Sequence, residues 1–177
     1  IRAIDQFVDY KGSLYPSLSL RMYEYLNPNT TFYVGDRYIT TNMTDLKIPV
    51  SLRYNGVYNN IRYYKNLNNS EYAHKTYSAI DIIDSYEALK NGKTPKISPK
   101  EFDNKIVFVG ANAKAIAVGL QDVKKTPMSD NYPGVEIQAT NLENLLNNDF
   151  ITLSSYLIDV IILIFLLGAT FLIIKYT

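Results

Sequence analysis

The chain of 177 residues has no cysteine, no tryptophan and a single histidine. Without cysteine there is no disulfide framework and no thiolate metal site. With one histidine, any Ser–His–Asp arrangement has to use His74, and no GxSxG turn supplies a nucleophile for it. Neither G-x-G-x-x-G nor G-x-x-x-x-G-K-[ST] occurs, so no nucleotide-binding fingerprint is present. Charge of one sign is also missing. The 18 basic and 17 acidic residues leave a net charge of +1, which argues against nucleic acid or a strongly anionic partner. No internal repeat, low-complexity linker or signal peptide is visible.

What is abundant is tyrosine, 16 residues, in a chain also rich in Asn, Ile and Lys. A stacking or sugar-binding surface is one reading; compositional bias of the source is the simpler one. The glycosylation-like tripeptides at Asn29, Asn42 and Asn68 are expected by chance in so Asn-rich a chain. The length suits about one domain. From Leu157 to Ile174 the sequence is almost wholly apolar, a run of roughly 18 residues, nearly enough as a helix to cross a hydrocarbon core. Tyr156 and Tyr176 stand where interfacial anchors belong, and Asp159 lies near the start, where a charge reaches the interface at little cost. The competing reading, a buried C-terminal helix of a soluble protein, would call for a polar face that this run lacks. The expected division is a soluble domain over residues 1–155 and a transmembrane helix over 156–177. The chain reads as a piece of a longer protein; if residues 1–155 lie outside the cytoplasm, an export signal or membrane helix is expected upstream.

Local patterns place the other elements. Ile1–Tyr10 spaces its apolar residues as a helix or loop rather than an alternating strand. Ser13–Leu26 reads as a helix with Pro16 in its first turn. Two short runs around Gly35-Asp36 predict a hairpin over 31–40. Lys47–Tyr54 alternates as a half-buried strand closed by Asn55-Gly56, with Pro49 hinting at an edge. A polar, Tyr- and Asn-rich loop over 59–75 leads to a helix opened by Ser78 and ended by Asn91-Gly92. Lys105–Ala111, KIVFVGA, reads as a fully buried strand ending in a tight turn. A helix over Val135–Leu146 follows, broken by Asn147-Asn148-Asp149. Strands near 48–54 and 105–109 with a helix between them suggest a right-handed parallel βαβ crossover. The predicted fold class is therefore α/β, a mixed and largely parallel sheet flanked by helices and followed by a C-terminal transmembrane helix.

The stretch from Asn104 to Leu146 carries the candidate site, because ligands in open α/β sheets sit beyond the carboxyl ends of strands. Asn112 follows the strand and could present its amide there. Asp122 lies in the loop, where turn formation is its simpler role. Glu136 stands in the first turn of its helix, where the dipole favours a carboxylate. Asp81, Asp84 and Glu87 lie three apart on one helix, and a solvated acidic face explains them better than a metal. No catalytic constellation emerges.

The same stretch carries a resemblance. KIVFVGA at 105–111, Gly119-Leu120-Gln121-Asp122, Thr126-Pro127 and Pro133-Gly134-Val135-Glu136-Ile137 resemble, as an ordered set, the closing half of a CHASE-type domain of the second class. These are sensory extracellular domains associated with cyclases and histidine kinases. Tyr15–Leu20 and Arg53–Gly56 resemble the family more weakly. The family's next residues are His, Ala, Asn; here they are Gln138-Ala139-Thr140, a departure that puts a ligand or pH role at that position in doubt. The resemblance implies an extracytoplasmic module in the cell membrane that binds a small-molecule signal of unknown identity. It would pass that signal to a cytoplasmic cyclase, histidine kinase or protein kinase, be non-catalytic itself and be a homodimer by analogy with other membrane sensors. Its ligand-binding candidates are Asn112, Asp122, Thr126, Glu136 and Gln138; no cofactor, metal or nucleic acid is implied. A membrane-anchored α/β enzyme using Asp122, Glu136 or His74, and a structural or assembly domain, are the alternatives.

Overall fold

A computed structural model describes residues 2–53, 56–64, 72–111, 122–152 and 156–176. The chain opens with β1 (Ala3–Tyr10), not with the expected helix or loop. The register slips between Asp5 and Phe7, so Gln6 is an extra, unmatched residue. This bulge turns both Gln6 and Phe7 inward and breaks the alternation that would have announced a strand. Lys11 and Gly12 both adopt positive φ, 54° and 79°, and join β1 to β2 (Ser13–Pro16) in a two-residue hairpin turn of the right twist. Pro16 therefore ends a strand. It does not open a helix; α1 (Leu18–Leu26) starts after it, with the Ser17 hydroxyl accepting from the Leu20 amide at 3.1 Å.

The expected hairpin forms as β3 (Phe32–Val34) and β4 (Tyr38–Thr41), with Gly35 bonded to Tyr38 across the turn. The alternating run that follows is two strands, β5 (Lys47–Pro49) and β6 (Ser51–Arg53), interrupted at Val50. β5 completes a three-stranded sheet beside β4, whereas β6 enters a different, four-stranded sheet in the order β2-β1-β7-β6. β7 (Gly56–Asn60), expected as turn and loop, pairs with both β1 and β6. A Cβ on Gly56 would lie 2.4 Å from the Phe7 carbonyl oxygen, so the glycine there serves close approach of backbones. Every ladder among the described residues is antiparallel, including the small pair β8 (Val123–Lys124) and β9 (Tyr132–Pro133). The parallel sheet is thus not found among the described residues: short turns join β1 to β2, β3 to β4 and β4 to β5, and such turns force antiparallel pairing.

The segment 105–110 explains the rest of that difference. It is not assigned to any strand and has no partner among the described ladders. Val107 and Val109 are exposed, Val109 at 92 %, and only Phe108 packs on the core. Its β-branched composition predicted a strand, but no edge among the described residues completes the ladder. The helix α2 (Ala79–Lys90) forms where expected, with Asp81 in its first turn, yet Ser78 makes no side-chain cap and Ser85 is its only buried residue.

The last helix of the soluble part, α3 (Gly134–Asn147), matches expectation and is the most deeply seated. Leu142 and Leu145 join Phe7, Leu20, Tyr23, Ile39, Ile48 and Val57 in the main core, between α1, α3 and the two larger sheets. A second cluster holds Ile61, Tyr72, Tyr132 and Ile137. The rings of Tyr63 and Tyr72 meet Tyr132 edge-on at 5.6 and 5.7 Å. Part of the tyrosine content is therefore core. Asn148 ends α3 in the left-handed conformation, φ 50°, and its side chain accepts from the Lys47 amide at 3.2 Å and donates to the Asp45 carbonyl at 3.3 Å. Asp149 takes Arg62 at 2.8 Å and Tyr64 at 3.1 Å, which fixes the start of the connector.

α4 (Tyr156–Tyr176) follows. Its span Tyr156–Lys175 has a mean hydropathy of 2.9 and is not buried against the rest of the chain. A helix apolar all round, with none of this window buried among the described residues, fits lipid better than it fits the buried-helix alternative. Asp159 in the first turn and Lys175 in the last complement the helix dipole.

Candidate functional site

The geometry is built around the N-terminal half of α3. The Gly134 amide donates to the Asp122 carbonyl at 2.7 Å, which joins the end of the long loop to the first turn of the helix. The Asp122 carboxylate lies over the same glycine: a Cβ on Gly134 would fall 1.9 Å from Oδ2. Gly110 meets α3 in the same way, where an added Cβ would stand 2.5 Å from Cβ of Val135. Its small size serves packing against the helix. Between these contacts opens a cleft of about 370 Å³, bounded by Asp5, Leu18, Phe108, Asp122, Val135 and Gln138 among others. Its lining mixes apolar residues with the polar Asp5, Asp122, Gln138 and Lys124, whose ammonium stands 3.8 Å from Asp122.

The five candidate residues divide. Asp122 and Gln138 line the cleft. Gln138 is also occupied structurally, since its Oε1 accepts from the Ser19 amide at 3.3 Å and the Ser19 hydroxyl at 2.9 Å. Thr126 is buried in its own turn, bonding to Ser129 and accepting from the Met128 amide at 3.3 Å, and it does not border the cleft. Asn112 lies outside the described residues. Glu136 leaves the cleft altogether and faces the segment before α2.

That second face of α3 holds what the sequence did not disclose. The buried Glu136 carboxylate accepts from the His74 amide at 3.1 Å and stands 2.7 Å from His74 Nδ1. The other ring nitrogen, Nε2, stands 3.2 Å from Glu143, two turns along the same helix. These hydrogen bonds, Glu136's first, hold the His74 pKa above its ordinary value despite the opposing effect of burial. Tyr132 adjoins Glu136, and burial, reinforced by that charge, pushes its phenol up to about 12. The pairing spans 62 positions; the only signal in the sequence was the seven-residue spacing of Glu136 and Glu143, which puts both on one helix face. His74 and Glu136 thus pair away from the cleft that Asp122 borders, so the enzyme alternative loses the convergence it requires. Asp81 binds Lys96 at 2.7 Å, and no group of metal-binding geometry occurs among the described residues.

Behind both faces lies a buried polar network. Gln6 Nε2 donates to Asn59 at 2.6 Å and to Asn141 at 2.8 Å, and Asn141 Nδ2 donates to the Ser19 hydroxyl. It ties β1, β7, α1 and α3 together, and no described buried side-chain polar atom lacks a partner.

The family model for the CHASE2 domain matches residues 1–173, nearly the whole chain. The chain belongs to the CHASE2 domain family. The match continues through α3 into most of α4. No curated protein and no solved structure matches it. CHASE2 domains are extracellular sensory domains without catalytic function, and the unburied α4 fits a membrane anchor for one.

Proposed function

We propose that residues 1–155 of this CHASE2 chain form an extracytoplasmic module that senses a small molecule, and that α4 passes its state across the membrane. The recipient is a cytoplasmic output domain of the cyclase, histidine kinase or protein kinase kind. One observation carries this reading. The cleft opens at the N-terminal half of α3, while the other end of α3 leads through a short connector, anchored at Asp149, to α4. A ligand bound there would act on the element that leads into the membrane. It would shift the equilibrium between two placements of α3 only by its difference in affinity for them.

Asp122 is the residue to test. Its side chain is 56 % exposed, and as a carboxylate at a helix start it contributes under about 1 kcal/mol to stability. Asp122→Ala is expected to leave the thermal unfolding of the chain nearly unchanged while altering the output of the full-length protein. A variant that unfolds, or one with unaltered output, would assign Asp122 to the turn alone.

A further inference from the structure

His74 is held from two sides by carboxylates of one helix, 2.7 Å from Glu136 at Nδ1 and 3.2 Å from Glu143 at Nε2. A neutral imidazole has one N–H and can satisfy one of them; the imidazolium has two and satisfies both. We infer that His74 is a proton-operated clasp, fastening the segment 72–76 that enters α2 across two turns of α3 when protonated and releasing its Glu143 arm when the proton leaves.

The arms differ in strength. Glu136 is almost fully buried and also accepts from the His74 amide, a bond indifferent to ring protonation. Glu143 is 40 % exposed on its side chain and can turn to water. In the neutral ring, the proton stays on Nδ1 toward Glu136, and the Nε2 lone pair then faces a carboxylate oxygen, which is repulsive. The Glu143 arm opens first. Among the described residues, few other charges face this group. From α3 there are Glu136 and Glu143; from β9, the Tyr132 phenol; from the stretch after β7, Tyr63; and from its own segment Tyr72 and Lys75, the latter paired with Glu101 at 2.6 Å. Burial pushes the Tyr63 and Tyr132 phenols up to about 12, far above the range in which an imidazole titrates.

The sign follows from the raised His74 pKa. The clasp contributes its full stabilisation below 6.5, the value of an unperturbed imidazole, and loses it as pH rises through the higher folded value. Acid closes the clasp and alkali opens it. Because the clasp occupies a different face of α3 from the cleft, it does not depend on the cleft holding a ligand.

The test uses the only histidine in the chain, whose ring signals need no assignment. In the 177-residue chain in lipid nanodiscs, labelled with ¹⁵N, both ring nitrogens are expected to be protonated on the acid side. The ring should titrate with a midpoint above 6.5, and the backbone amides of Glu143 and of 72–76 should shift with that same midpoint. Glu143→Gln should move the midpoint to lower pH without unfolding the chain. His74→Gln should abolish the coupled amide shifts. A midpoint at or below 6.5, a midpoint unmoved in Glu143→Gln, or ring titration with the Glu143 amide still would each overturn the clasp.

Discussion

Replacing Gln6 with alanine is expected to remove about 4 kcal/mol of folding stability, because it orphans more than one buried polar group at once. Gln6 is fully buried at the bulge of β1, with Nε2 donating to both Asn59 and Asn141 and Oε1 accepting from the Ser17 hydroxyl at 3.2 Å. Asn59 and Asn141 are themselves buried, so water cannot replace the lost donor without opening the core. Each orphaned group costs roughly 1–3 kcal/mol, and the missing side chain adds a cavity. Against a typical total of about 5–15 kcal/mol, this is a large share. Urea unfolding of the detergent-solubilised chain, followed by tyrosine fluorescence, measures it. A loss below about 1 kcal/mol would mean that the network does not hold β1 to α3.

The second large effect concerns α4. Its Leu, Ile, Val and Phe residues sum to roughly −6 kcal/mol on insertion scales. A single Arg near the centre costs about 3 kcal/mol, so Leu166→Arg alone leaves insertion favourable. Leu163→Arg with Leu166→Arg costs about 7 kcal/mol counting the lost leucines, enough to tip the balance. The single variant is therefore expected to remain in carbonate-washed membranes and the double variant to be largely extracted. An extractable wild-type chain, or a double variant that stays in the membrane, would contradict the reading of α4 as a span.

The elements that the sequence disclosed are those whose signals are local. The hairpin around Gly35, the helix α3 with its stop at Asn148 and the apolar run of α4 needed no distant partner to be recognised. β1 was hidden by one residue, since the bulge at Gln6 puts two neighbours on the same face. Pro16 fitted a helix start equally well, and only the pairing of β2 with β1 makes it a strand end. The run 105–110 misled in the opposite sense. Its composition is that of a buried strand, yet a strand exists only with a neighbour, and with none among the described residues the expected parallel crossover is not found. Asp122 and Gln138 were brought together at the cleft because both flank the start of α3 in space as well as in sequence. The partner of His74 could not be read, since nothing in a polar loop specifies which helix face it will meet.

The central claim, that the domain before α4 senses from outside the cytoplasm, is tested most directly by topology. The chain has no cysteine, so Lys93→Cys, in the exposed turn after α2, creates a unique thiol. In intact cells expressing the full-length protein, a membrane-impermeant maleimide is expected to label that thiol as fully as it does after lysis. Labelling only after the membrane is broken would place the domain inside and contradict the account.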